Sequence, residues 1–131
     1  MEEKKKVLAI DDDPMTLRVL TELLTPGFAL RISKSASDAI ALMNQDLPDL
    51  ILLDIEMPDV SGFEFLHNIK KHPKFMRIPV VIVSGHCETE FVIHAENSGA
   101  SCVVAKPIKE EELFKKMDYA FKNPPKNIFG L

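Results

Sequence analysis

The sequence predicts an α/β fold, a three-layer doubly wound sandwich in which a five-stranded parallel sheet carries helices on both faces. Three observations carry that expectation. Five short runs rich in Val, Ile and Leu alternate with five longer segments of helical spacing. The runs at 50–53 and 80–83 are continuously apolar, as strands buried on both faces must be. Polar residues close several runs on what the alternation makes a single edge of the sheet, where open α/β sheets bind ligands.

Lys6 to Asp11 is the first run, apolar until it meets acids. Pro14 suits the first turn of a helix, where a missing N–H costs nothing, and Asp13 is placed to cap that helix. Leu17, Leu20, Leu23 and Leu24 continue at helical spacing. Phe28 to Ser33 alternates as a strand does; Ser35 or Ser37 then caps a second helix with Ala36, Ile40 and Met43 on its apolar side. Leu50 to Leu53, bounded by Asp49 and Asp54, is the most buried strand, and Glu56 to Gly62 is turn chemistry. Phe63, Leu66 and Ile69 mark the third helix. Pro79 opens the run Val80 to Val83, which stops at Ser84-Gly85; Phe91, Val92 and Ala95 belong to a fourth helix halted near Gly99. Ser101 to Ala105 is the last strand, broken by Lys106-Pro107. Leu113, Met117, Ala120 and Phe121 define a final helix, and Glu110, Glu111 and Glu112 favour its positive N-terminus. The spacing gives five βα units but not the order of the strands.

With 131 residues, 46% of them hydrophobic and 27% charged, the chain has the size and composition of one globular domain, expected over 1–122, with 123–131 as a tail or the start of a linker after Asn123-Pro124-Pro125. A net charge of −4 argues against nucleic acid as a direct partner. The apolar stretch after the charged N-terminus is too short for a signal peptide or a membrane span, so a cytoplasmic location is expected. Cys87 and Cys102 lack metal-ligand spacing and read as free thiols. His67, His72 and His94 read as surface residues, and His86 alone falls near the polar edge.

Asp11, Asp12 and Asp54, then Ser84, then Lys106, are the polar residues delivered to that edge. A Mg²⁺ ion takes one or two carboxylates, several waters and a substrate phosphate, which Asp12 and Asp54, with Asp11 as a third candidate, can supply. Clustered carboxylates repel, and a bound cation relieves the repulsion. Asp54 ends the most buried strand and is the candidate nucleophile, since a carboxylate can attack a phosphoryl group to give an aspartyl phosphate. Lys106 would offset charge on the phosphoryl oxygens and Ser84 would donate a hydrogen bond to one of them.

The segments Ile10-Asp11-Asp12-Asp13-Pro14, Leu53-Asp54-Ile55-Glu56-Met57-Pro58-Asp59-Val60-Ser61-Gly62, Val83-Ser84-Gly85 and Lys106-Pro107 resemble, in order and spacing, the motifs of the response regulator receiver domain. The resemblance runs from about Lys4 to Lys122. It implies a flavodoxin-like sheet of order 2-1-3-4-5 and a phosphoacceptor, Asp54, served by a histidine kinase or phosphotransfer protein. It also implies Mg²⁺ on Asp11, Asp12, Asp54 and the backbone carbonyl of Glu56, with Ser84 and Lys106 on the phosphoryl group and a cis Lys106-Pro107 bond. In such domains phosphorylation shifts a partner-binding surface, here the loop before Glu88 and the fourth helix, and the domain is a signalling element rather than an enzyme.

This chain departs from the family at one switch position, where Val103 stands in place of a Tyr or Phe. Glu56 and His86, two residues past Asp54 and Ser84, flank the path of an attacking water and are candidate modulators of phosphoryl lifetime. Two rivals remain: a receiver-like interaction module that works without phosphorylation, and an aspartyl-nucleophile phosphohydrolase of the haloacid dehalogenase type. Asp11-Asp12-Asp13 resembles that superfamily's signature, but Met15 occupies its Thr/Val position and no cap is present. Nothing basic and helix-turn-helix-like follows Lys122, so a stand-alone relay and the receiver of a longer regulator are both open. The output partner is unnamed by the sequence, and a homodimer through the fourth and fifth units is a family-level option.

Overall fold

A computed structural model describes residues 3–57 and 59–125. Five βα units follow in order: β1 (Lys6–Ile10), α1 (Pro14–Leu24), β2 (Ala29–Ser33), α2 (Ala36–Gln45), β3 (Leu50–Leu53), α3 (Gly62–Lys70), β4 (Val80–Ser84), α4 (Thr89–Asn97), β5 (Cys102–Ala105) and α5 (Glu110–Lys122). All pairings are parallel and the strand order is β2-β1-β3-β4-β5. Val7 lies opposite both Leu30 and Leu50, and Ile51 opposite Val80, so β1, β3 and β4 are flanked on both sides.

The two-residue period of a strand divides the core into two layers. Leu8, Ile10, Ile51, Leu53, Val80 and Ile82 face α2, α3 and α4, meeting Met43, Phe65, Leu66, Ile69 and Ala95. Their neighbours Val7, Ala9, Leu50, Leu52, Val81 and Val83 face α1 and α5, meeting Leu17, Leu20, Leu24, Leu113 and Met117. Each of the Val, Leu, Ile, Phe and Met side chains among these, once buried, stabilises the fold by about 1.5–3 kcal/mol. That two-sided burial makes β3 an unbroken apolar run in the sequence.

Asp13 caps α1, its carboxylate accepting from the Met15 N–H at 3.1 Å and the Thr16 hydroxyl at 2.8 Å, with Pro14 at the first helical position. Of the two serines that could cap α2, Ser35 does so, accepting from the Asp38 N–H at 3.2 Å. Ser61 caps α3 through the Glu64 N–H. Helix α4 has no side-chain cap, and of its nine residues only Ala95 is buried. It ends at Asn97, two residues before Gly99, whose φ of 110° is open to glycine at little cost.

Three details differ from the sequence reading. Strand β2 starts at Ala29, not Phe28, because the Phe28 N–H is taken by the Leu24 carbonyl and its ring stacks on Phe114 and Phe121 at 6.3 and 6.1 Å. Strand β5 starts at Cys102, one residue after Ser101. The connection from α3 to β4, which has no periodicity in sequence, buries Phe75, Met76 and Ile78 in a turn closed by bonds to the His72 and Phe75 carbonyls. The proposed tail reaches the described residues only as far as Pro125; 126–131 lie outside them.

Candidate functional site

Parallel strands bring the carboxyl ends of β1, β3, β4 and β5 to one edge, and each delivers a polar side chain there. Asp11 and Asp54 follow β1 and β3, Ser84 is the last residue of β4, and Lys106 follows β5. The ladder holds them: the Asp54 N–H bonds the Ile10 carbonyl at 2.9 Å, and the Lys106 N–H bonds the Ser84 carbonyl at 2.8 Å. Asp11, Asp54 and Ser84 are buried; Asp12 is exposed and Lys106 half-buried.

These residues, with Glu56, Met57, His86 and others, line an open pocket of about 840 Å³. The Lys106 Nζ donates to Asp11 Oδ2 at 3.0 Å and to Asp54 Oδ1 at 3.4 Å. Carboxylate oxygens of Asp11, Asp12 and Asp54 all come within 4.8 Å of one another. Asp11 Oδ1 also accepts from the Asp13 N–H at 2.9 Å, which fixes its orientation. The Ser84 Oγ accepts from the His86 N–H at 3.0 Å, leaving its own proton to donate into the pocket.

Burial, and then the negative charge of Asp11, push the Asp54 carboxyl up to about 6, against the opposing pull of Lys106 and the Glu56 N–H. For Lys106 burial works against the ammonium, but the bond and charge of Asp11 and the charge of Asp54 outweigh it and raise the group above an ordinary lysine. Three converging carboxylates with one ammonium between them are a hard-oxygen donor set short of positive charge, and they fit a divalent cation such as Mg²⁺. Asp13, turned onto the first turn of α1, is a cap rather than a fourth donor.

The flanking residues fall where the sequence puts them, at the mouth of the pocket. His86 Nε2 is 3.7 Å from Glu56 Oε1 and its Nδ1 is 3.8 Å from Glu88 Oε1, all exposed. Val103 is buried in the core layer beneath α3 and α4. At the margin of that layer Phe63 of α3 contacts Phe91 and the exposed His94 of α4 at centroid distances of 5.7 and 4.4 Å, and the exposed His86 contacts Phe91 at 5.9 Å. The Lys106-Pro107 bond is cis.

Two supports escaped sequence reasoning. Gly62 packs so closely under the site that a Cβ there would lie 2.5 Å from the Asp54 carbonyl oxygen and 2.6 Å from Ile55 Cα. Asp59 reaches from the same loop to the start of α2, accepting from the Ala36 and Ser37 N–H groups at 3.2 and 3.1 Å. A glycine opening a helix and an aspartate in a turn are the only signals, and neither names its distant partner.

The sequence model of the response regulator receiver domain matches residues 7–118. The chain is 31% identical to the protein PilH of Pseudomonas aeruginosa over 114 residues, 86% of this chain and 94% of that one. It is 36% identical over 111 residues to the two-component response regulator ORR23 of Oryza sativa subsp. indica, 82% of this chain but only 16% of that longer protein. Among solved structures, the Mn(2+)-bound form of response regulator Rcp1 superposes with a TM-score of 0.73 at 30% identity, covering 85% of this chain and 87% of that one. With the strand order and the acidic pocket in place, these likenesses establish that the chain belongs to the response regulator receiver domain family.

Proposed function

We propose that Asp54 is a phosphoacceptor, receiving a phosphoryl group from the phosphohistidine of a histidine kinase or phosphotransfer protein. The observation that carries this reading is the buried Asp54 carboxylate with Lys106 at 3.4 Å, in a pocket open to a macromolecular donor. A carboxyl of pKa about 6 is largely ionised at neutral pH yet more basic than an ordinary aspartate, which suits a nucleophile. Its oxygen attacks phosphorus, the P–N bond to the donor imidazole breaks, and the electron pair leaves with that ring. Lys106 and the Ser84 hydroxyl then stabilise the phosphoryl oxygens.

Asp11, Asp12, Asp54 and the backbone carbonyl of Glu56 are the proposed Mg²⁺ ligands, supported by the convergence of the three carboxylates and by the Mn(2+) of the Rcp1 structure. When bound, the cation supplies the positive charge that the pocket lacks. Glu56 and His86 stand at the mouth, on the approach of a hydrolytic water, and are proposed to set the phosphoryl lifetime.

The output is a shift in population between two arrangements of the loop before Glu88 and α4, which altered contacts of Ser84 and Lys106 with the phosphoryl group would drive. Helix α4 suits that movement, with one buried residue and no side-chain cap. The proposed domain is 1–122, cytoplasmic, acting on an output domain or partner protein that its chemistry does not name. No described helix is long and apolar enough to cross a membrane. The enclosed Val103 favours a second reading, an interaction module that signals by binding alone.

Intact-mass spectrometry after incubation with acetyl phosphate decides between them. A single phosphoryl adduct requiring both Mg²⁺ and Asp54, absent from Asp54→Ala, supports the phosphoacceptor. No phosphoryl adduct on folded protein moves the assignment to the binding module.

A further inference from the structure

At the opposite end of the sheet, where the strands begin, the side chain of Lys70 crosses from the end of α3 to two other segments. Its Nζ donates to the carbonyls of Met76 at 3.1 Å and Ile78 at 2.8 Å, just before β4. Its stem lies on Gly99, where an added Cβ would meet Lys70 Cγ at 2.9 Å. Lys70 lines a cavity of about 530 Å³ with Met76, Glu96, Ser101, Tyr119 and Asn123. Glu96, the acid of that cavity, makes no ion pair with it, and its partners among the described residues are the two carbonyls.

We propose that Lys70 is a second covalent site of this domain, an amine that accepts an acyl group from an activated acyl donor such as an acyl phosphate or a thioester. Two carbonyls engage two of the nitrogen's hydrogens; the remaining position holds a proton in the ammonium and a lone pair in the amine. Burial without a carboxylate partner favours the neutral form and brings the group down to about 8, so a substantial fraction carries that lone pair near neutrality. The nitrogen attacks the acyl carbon, the C–O or C–S bond breaks with departure of phosphate or thiolate, and the amine proton passes to water. The resulting amide keeps a single N–H. One of the two carbonyls therefore loses its donor, and the connection from α3 to β4 is loosened.

The full chain is incubated with acetyl phosphate, or in a second arm with an acetyl thioester, in chelator without Mg²⁺, then digested and its acetylated lysines mapped. Near pH 7.5 Lys70 is expected to react at least about tenfold faster than exposed Lys71 and Lys74, with the advantage shrinking near pH 10, where ordinary lysines also lose protons. In denaturant the preference disappears. Labelling no faster than at Lys71 and Lys74 in both arms, or a preference that survives denaturant, overturns the proposal. Asp54→Ala labels at Lys70 like the wild type, so the outcome is independent of the phosphoacceptor reading.

Discussion

The Lys106 ammonium lies closer to Asp11, at 3.0 Å, than to Asp54, at 3.4 Å, so one cation offsets part of the repulsion between two buried acids. Lys106→Met leaves those acids without a counter-charge. The variant is expected to lose about 1–2 kcal/mol of stability at neutral pH, a buried-pair cost reduced by the partial exposure of the lysine. Urea unfolding with and without Mg²⁺ measures it, and the deficit should narrow when the cation is added. Equal stability in cation-free buffer would contradict the pairing.

Ionised Asp54 is a burden on the fold. Its pKa is about 6 in the folded chain against an ordinary 3.8, so between those values the folded state holds a proton that the unfolded chain has released. The cost is absent below 3.8, grows through that window and is complete above about 6. Asp54→Asn removes the charge and should stabilise the cation-free protein by ~2 kcal/mol above that window, with no gain below it. Denaturant melts at the two pH values check this; the same shift at both would exclude burial of the charge as the cause.

Gly62→Ala is expected to be costly although it adds a single carbon. The Cβ would meet backbone atoms of Asp54 and Ile55 at 2.5 and 2.6 Å, and backbone does not give way as a flexible side chain does. A loss of about 2–3 kcal/mol follows from such overpacking, together with slower phosphorylation because the loop after β3 must move. Gly27→Ala is the control: nothing lies within 4 Å of its added carbon, and it should stay within about 0.5 kcal/mol.

Asp59→Ala withdraws the acceptor of the Ala36 and Ser37 N–H groups. Those amides should exchange with solvent faster than in the wild type, while the amides of α5, which packs on the other face of the sheet, keep their rates. Unchanged exchange at Ala36 and Ser37 would show that Ser35 alone caps α2.

Phosphorylation, or a phosphoryl mimic with Mg²⁺, should change amide exchange across residues 84–105, since α4 has one buried residue, Ala95, and no side-chain cap. Identical exchange in the two states would remove α4 as the moving element.

The readable parts of this molecule were those in which one residue's own surroundings decide its place. Strand β3 shows in sequence because both its faces are covered, and Asp13-Pro14 shows because a cap and its helix are adjacent. The site residues were legible because each closes a strand, and parallel strands must deliver their ends together. What stayed hidden depends on distant partners. Phe28 has the pattern of a strand residue but gives its N–H to Leu24, and Asp59 has the look of a turn former but serves a helix 22 residues back. The strand order came from the family resemblance, since local periodicity carries no information on which neighbour a strand chooses. Lys70 looks like any helix-end lysine until the carbonyls of Met76 and Ile78 are placed around it.

The depth of Asp54 bears on how a partner could sense it. On the proposed chemistry a carboxylate of charge −1 becomes an acyl phosphate of about −2, a gain of roughly one unit. That increment sits in a pocket already holding three acids, and the part of its field that passes through solvent is screened over about 8 Å. A protein docked on the outer helices would find the electrostatic signal faint. On that chemistry the message would travel as a change of contour, written in the positions of backbone and side chains.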